Sequence, residues 1–600
     1  MTLTYIVRAM KLIWKSSPTS SLLNALFVVL RGVMPLLMLY IIKQLIDTLI
    51  ATVGESHDYE GLRSLIFSDF TLLLGGVAVL FVFNSVSTSL HTLVKEKQTY
   101  SLRRTISTII HDKAERISYM HYEDPHFQDT FHRAVTESQN KPQQIFYNII
   151  GAMQSTITLC AFGYILLSIH WLMPIMIVCI ALPIVILRIY FSRKFYAIRR
   201  EQTTEERRLS YYARVMTAKE FAKELRLFGL SKVYKQRYND TAEQLHHTRE
   251  KLLLRNTLHE ALTQFAISVL MVVVFGFVIY QTLLGNITIG AIAMYFMALY
   301  RSYGMAQNLL QHIASIYDSN LYLKNLFEFI DMPVGHSQAE ESGEDAASQV
   351  ADTDIVYSLK ECSFKYPNTE RTVLNKISLD IRRGEIVSIV GCNGSGKSTL
   401  VKLLCGLYEP TSGEIELYGK PLSSYPQQKI SENITAIFQD FMLYNTSARD
   451  NIWYGDLSTE GDKERIERSA HKSGIAPVFE NLKEGYDTAL GNLFPDSEML
   501  SQGEWQRTAL ARSFYSKAGI IILDEPTSSL DAFTEASLVD NFREITQGRT
   551  AIIISHRLST IRMADRIIVL NNKEIAETGT FDELMSQQGF LYRMVENLNR

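Results

Sequence analysis

The sequence predicts a multidomain chain: an all-α membrane domain of six spanning helices (1–331), a linker (332–353) and an α/β domain (354–600). Three observations predict it. Six long apolar runs all fall before residue 315. Residues 332–353, MPVGHSQAEESGEDAASQVADT, are acidic, small and aperiodic, which is linker composition. Beyond them, short β-branched runs alternate with helical patterns around a glycine-rich loop, the texture of an α/β fold. The length of 600 residues also favours several domains over one.

The apolar runs lie near 21–42, 66–90, 145–168, 171–192, 261–284 and 287–310. Each supplies the ~20 residues needed to cross a hydrocarbon core of ~30 Å. Buried helices of a soluble domain are the rival reading, and several runs are too free of charge for it. Lys and Arg crowd the N-terminal tail (Arg8, Lys11, Lys15) and the segments 95–144 and 193–257. The connection 43–65 is acid-rich, and the remaining two are very short. Positive loops stay in the cytoplasm, so both termini and two long excursions are expected there. The first run lacks a small-x-small cleavage site, so it reads as a retained helix and not a signal peptide.

The excursions are polar but helically patterned and are expected to carry the membrane helices ~20–35 Å into the cytoplasm. Asp124-Pro125 marks a helix start within 121–134. A second short helix fits 217–229, stopped by Gly229. Three basic residues fall within runs: Arg31, Arg188 and Arg301. An intramembrane charge is a candidate functional site. Arg188 is expected to snorkel to the cytoplasmic interface. Arg301 shares a helical face with Met294, Met297, Met305 and Asn308, which suits either an amphipathic cargo or plain helix packing.

Net charge is −3, so the chain carries no nucleic-acid signal. The five cysteines form no CxxC or metal-like spacing, so free thiols in a reducing compartment are expected. Cys392, inside the glycine-rich loop, reads as a small loop residue.

That loop carries the chemistry. Residues 391–399 read GCNGSGKST and match GxxxxGK[ST] in full, after the apolar strand pattern IRRGEIVSIV and before the helix pattern TLVKLLCGLY. Gly391, Asn393, Gly394, Ser395, Gly396 and Thr399 would wrap nucleotide phosphates with backbone N–H groups, helped by the dipole of the following helix. Lys397 would bridge the β- and γ-phosphates, and the Ser398 hydroxyl would hold Mg²⁺. Downstream, AGIIILDEP (518–526) is a buried strand ending in two acids. Asp524 suits the Mg²⁺ shell, and Glu525 suits a general base for water.

With these motifs the chain resembles the ATP-binding cassette (ABC) transporters in their half-size exporter form, a six-span membrane domain followed by one P-loop NTPase cassette. The resemblance covers nearly the whole chain. It implies that Tyr366, in FKYP, stacks on adenine. It implies that Gln439, in IFQD, senses Mg²⁺, and that His556, in IIISHR, contacts the γ-phosphate. Ser529-Leu530-Asp531 resembles the loop that crosses to a partner cassette. LSQGEWQ (500–506) resembles the family's signature, usually LSGGQ or LSGGE, which implies that Ser501, Gly503 and Glu504 meet ATP bound by the other cassette. Gln502 departs from the usual glycine. The third position is the less demanding one in the family, so hydrolysis is expected to survive. One cassette per chain implies pairing, most simply as a homodimer.

Glu504-Trp505-Gln506 and KELRLFG are similar to the bacterial branch that exports modified peptides such as lantibiotics and microcins. Leader-trimming exporters carry an extra N-terminal protease domain; here the first run begins at residue 21, so no such processing is expected. The reading is therefore ATP- and Mg²⁺-dependent export of an amphipathic substrate, leaning to a peptide, across a bacterial cytoplasmic membrane. A lipid or lipid-linked glycan flippase, or a multidrug exporter, is the alternative with the same architecture. A non-transport ATPase or a channel fits the six runs less well.

Overall fold

The computed structural model describes the chain apart from Met1, 56–68, 125–126, 129, 132–133, 136–140, 169–170, most of 172–201, 286, 334–353, 368, 459, 541, 547 and 599–600. Most of the predicted run 171–192, including Arg188, the linker from 334 onward and Pro125 therefore lie outside the described residues. The chain divides into two compact units. One comprises Met1–His111 with Thr130–Asp331; the other comprises Asp112–Asp129 with Met332–Arg600.

The described part of the first unit is helical: α1 (Thr2–Ser16), α2 (Pro18–Glu55), α3 (Asp69–Arg116), α4 (Lys141–Leu167), α5 (Thr203–Thr217), α6 (Ala222–Leu227), α7 (Ser231–Leu283) and α8 (Ile289–Asp331). Among the described residues, four helices are long and apolar enough to cross a membrane: Pro18–Ala51, Phe70–Arg116, Pro142–Leu167 and Ser231–Leu283. The sixth run forms the first half of α8, a helix made more polar by Arg301, Gln307 and Asn308. At ~1.5 Å per residue α3 and α7 are on the order of 70–80 Å long, and both continue well past their apolar runs as the patterning predicts. The short helix predicted near 217–229 is α6, and Gly229 follows it in the left-handed region at φ +63°. Near Asp124, a 3-10 turn spans Tyr119–Glu123.

A core of Leu39, Phe162, Leu166, Val274, Val278 and Leu299 binds α2, α4, α7 and α8. Met294 is buried in it and Met305 packs against it, while Arg301, Met297 and Tyr300 are exposed. The packing reading therefore holds for two of the three methionines of that face.

The second unit contains two sheets. An antiparallel sheet has the order β2-β1-β4-β5, from β1 (Ile355–Lys365), β2 (Thr372–Arg382), β4 (Ser412–Leu417) and β5 (Lys420–Pro421). A six-stranded sheet has the order β10-β9-β3-β8-β7-β6, from β3 (Ile386–Gly391), β6 (Ile434–Ile437), β7 (Ile520–Asp524), β8 (Thr550–Ile554), β9 (Arg566–Asn571) and β10 (Glu574–Gly579). Within it only β10 runs antiparallel to its neighbour. Strands β3, β7 and β8 are buried at every position, because parallel strands covered on both faces are continuously apolar. Their carboxyl ends deliver the loop after Gly391, the Asp524-Glu525 pair and His556 to one edge of the sheet, where open α/β sheets bind ligands.

Candidate nucleotide-binding site

The loop after β3 turns sharply into a helix, α9 (Lys397–Leu404). Gly394 and Gly396 take φ of +80° and +102°, and at Gly396 a side chain would also meet Val373 O at 3.1 Å. Only glycine satisfies both constraints. Lys397 is buried, and its ammonium donates to the carbonyls of Gly391 at 2.7 Å and Cys392 at 3.1 Å. Burial lowers the lysine's proton affinity, while Glu525 and Asp524 oppose that. Ser395 Oγ is buried without a partner. A concave loop of backbone N–H groups, a lysine parked on loop carbonyls and an unpartnered hydroxyl together fit a nucleotide's phosphates.

Around this loop the structure gathers most of the residues that the motifs single out. Burial raises the Asp524 carboxyl, and a hydrogen bond with Ser398 works against that rise. Glu525 sits in the left-handed region at φ +50°, with its N–H held by Ile554 O at 2.9 Å. A non-glycine residue held there is strained backbone of the kind found at functional sites. Gln439 Nε2 donates to Glu525 Oε2 at 3.2 Å. His556 Nε2 lies 3.6 Å from Glu525 Oε1, beyond hydrogen-bond distance, and is buried without a partner. Burial and Lys397 keep the imidazole below its ordinary proton affinity, against Glu525. Ser398, Asp524 and Gln439 offer oxygen donors, which suit Mg²⁺. Tyr366 shares a hydrogen bond with Thr399 Oγ1 at 2.9 Å and meets Tyr408 edge to face.

The LSQGEWQ stretch opens a separate helix, α10 (Gln502–Tyr515). Ser501 caps it, in a capping box with Glu504. Glu504 N–H donates to Ser501 Oγ, and Glu504 Oε2 accepts from Ser501 N–H at 2.7 Å. The glutamate's carboxylate is therefore engaged with its own helix terminus. Ser501 and Gln502 are exposed. A side chain at Gly503 would meet Ser529 O at 2.8 Å, so this glycine also lets the loop after Glu525 approach the helix. Asp531 caps the following helix, α11 (Ala532–Asp540), by accepting from Phe533 and Thr534 N–H groups.

Sequence reasoning assigned no role to Gln506, and the structure gives it one. Its buried amide donates to Glu525 O at 3.0 Å and Ser528 Oγ at 3.2 Å, and it accepts from Ser529 N–H at 2.9 Å. One side chain thus pins the strained Glu525 and the next loop to α10. The available signal was a glutamine beside Trp505 and Ala509 on a buried helix face. Gln506→Ala is expected to lower kcat for ATP about tenfold to a hundredfold by misplacing Glu525. It should cost ~1–3 kcal/mol in stability, since Glu525 O and Ser528 Oγ lose their donor and Ser529 N–H loses its acceptor. Nucleotide affinity should change little. A melting curve with ATPase kinetics checks both, and an unchanged kcat removes the positioning role.

Comparison with known proteins decides the family. The ABC transporter model matches residues 374–528, and the ABC transporter transmembrane region matches 21–303. An ATP-dependent lipid A-core flippase of Ralstonia nicotianae is 30% identical over 76% of this chain and 75% of its own. The chain belongs to the ABC transporter family. It is a half-size ABC exporter, an integral membrane protein with one membrane region and one ATP-hydrolysing cassette that drives transport. The subtilin transport ATP-binding protein SpaT of Bacillus subtilis is 29% identical over 96% of this chain and 91% of its own. A solved bacterial Atm1-family ABC exporter with ATP bound has the same fold, with TM-score 0.76 and 21% identity over 97% of this chain and 98% of the other.

Proposed function

We propose that two copies of this chain export an amphipathic peptide of the bacteriocin type across the bacterial cytoplasmic membrane, using ATP and Mg²⁺. The observation that carries the peptide reading is the likeness to a subtilin transport protein along 96% of the chain. That likeness runs through the membrane region, where cargo is met, as well as the cassette. The lipid A-core flippase relative at 30% identity over 76% of the chain supports lipid flipping as the second reading. The membrane region is read as six spans, with the runs 171–192 and 287–310 completing the set and both termini cytoplasmic.

In this reading Tyr366 stacks on adenine, and the loop from Gly391 to Thr399 binds the phosphates. Ser398, Asp524 and Gln439 would hold Mg²⁺, which would supply neutralisation of charge on the phosphate oxygens. Glu525 accepts the proton of the attacking water. His556 presents its buried, unpartnered Nε2 to the γ-phosphate, and its depressed proton affinity suits a neutral imidazole donating one proton there. The exposed N-terminus of α10, with Ser501, Gly503 and Glu504, completes the site on the partner's cassette. Gln502 is the first residue of that helix and its side chain is exposed at this same end, so hydrolysis by the chain is also the test that closure tolerates it.

The test is ATP hydrolysis by the purified chain alone in nanodiscs, with and without lantibiotic-type peptides. Hydrolysis without a second protein, stimulated severalfold by such a peptide, is the expected result. A silent chain would replace the homodimer with a heterodimer. Stimulation by lipid A-type glycolipid and by no peptide would replace the cargo.

A further inference from the structure

The seam between α2 and α3 holds Arg31 and Lys95; Glu96 lies within electrostatic reach of Lys95, while among the described residues no acid pairs with Arg31. Arg31, on α2, donates from Nη1 to Nδ1 of His91, on α3, at 2.7 Å. An imidazole that accepts through Nδ1 carries its proton on Nε2. That Nε2 is buried and has no partner. The His91 ring is 3% exposed and stacks on Phe27 with centroids 5.6 Å apart. Lys95, one turn beyond His91, lies within electrostatic reach of both basic groups. Its ammonium sits 3.6 Å from the centroid of the Tyr147 ring. The neighbouring Glu96 accepts from the Tyr147 hydroxyl at 2.8 Å. Asn24, two turns before Arg31 on the same helix face, has both amide atoms buried and unpartnered. Such a group of donors in an apolar run is costly unless something supplies the acceptor.

We propose that Arg31, oriented by His91 and backed by Lys95, binds the phosphate of a membrane lipid at this seam. The guanidinium spends one N–H on His91 and keeps others for two phosphate oxygens, the geometry at which arginine excels. His91 is a positioning residue: its lone pair sets the plane of the guanidinium, and Phe27 sets the plane of the imidazole. The flanking side chains Leu26, Val29, Leu90 and Leu93 are exposed and apolar. They suit acyl chains, which favours a lipid over a water-soluble anion. The site does not depend on which cargo the exporter moves.

The test uses the full chain in mild detergent, with lipid binding followed by native mass spectrometry. The probes are phosphatidic acid and the diacylglycerol with the same tails. Wild type should favour phosphatidic acid about tenfold, and Arg31→Gln should erase that preference. Arg31→Lys should keep part of it, as a charge without the fork. His91→Phe should weaken it severalfold while preserving the stack on Phe27. Equal preference in wild type and Arg31→Gln overturns the proposal. Should Arg31→Gln fail to fold, wild-type behaviour of both Arg31→Lys and His91→Phe overturns it as well. Displacement of phosphatidic acid by millimolar inorganic phosphate identifies the ligand as free phosphate and removes the lipid. Displacement by a peptide carboxylate, but not by the amidated peptide, assigns the site to peptide cargo and likewise removes the lipid.

Discussion

Glu525→Gln is expected to lower ATP turnover by a factor of ~10²–10⁴, the usual contribution of a positioned general base, while ATP still binds. The substitution is nearly isosteric. The carboxamide oxygen can still accept from Gln439 Nε2, now at 3.2 Å from the carboxylate. The backbone at φ +50°, held by Ile554 O and the Gln506 amide, does not depend on the side chain's charge. What is lost is the capacity to take a proton from water. Lys397 also loses one of the two acids that favour its charged form, the other being Asp524. That loss is small beside the chemistry, because the ammonium keeps its two carbonyl acceptors. Single-turnover hydrolysis with a nucleotide-binding measurement separates the two effects. If the variant keeps more than about a tenth of wild-type turnover, the base lies elsewhere. His556, 3.6 Å away, would be the next candidate.

The parts of this site that were legible in the sequence are those whose chemistry is local. A phosphate loop needs glycines at positive φ, a lysine and a hydroxyl within one turn of chain, so GCNGSGKST declares itself. An all-apolar strand ending in Asp524-Glu525 does the same, since buried parallel strands leave no other place for two acids than the edge. The capping box was also written locally, as Ser501 and Glu504 three residues apart, yet the resemblance drew both toward a phosphate and away from the helix they start. Gln506 was illegible because its three partners are some twenty residues downstream. Gly503 carries two demands in one position, and only the approach of Ser529 reveals the second. The antiparallel sheet β2-β1-β4-β5 was not foreseen either, because β1 pairs with β4 across a long stretch of chain, Tyr357 with Leu417 and Ser363 with Ser412. In the membrane unit the run 287–310 was legible as a helix, and the structure places it in the first half of α8.

Lys397→Ala should remove nucleotide binding itself. In the structure the ammonium is held by two carbonyls of its own loop, 8% of the residue is exposed, and burial works against its charge. A phosphate that takes over this ammonium gains a charge-assisted hydrogen bond worth about 1.5–3 kcal/mol, and two such bonds correspond to a loss of about 10²–10³-fold or more in affinity on truncation. The folded protein without nucleotide should change little in stability. Alanine ends the burial of a charge, which offsets the two lost hydrogen bonds. It also removes the charge that favours the ionised form of Asp524, whose carboxyl burial already raises. The measurement is a thermal shift. At a nucleotide concentration a hundred times the wild-type Kd, wild type gains about 2.7 kcal/mol from mass action, and Lys397→Ala should gain almost none while melting close to wild type without ATP. A full nucleotide-induced shift in the variant would mean that the backbone cradle of Gly394 to Ser398 holds the phosphates by itself. The lysine's charge would then act on the transition state and not on binding. A large drop in melting temperature without ATP would mean instead that the lysine's bonds to Gly391 and Cys392 hold the loop in shape.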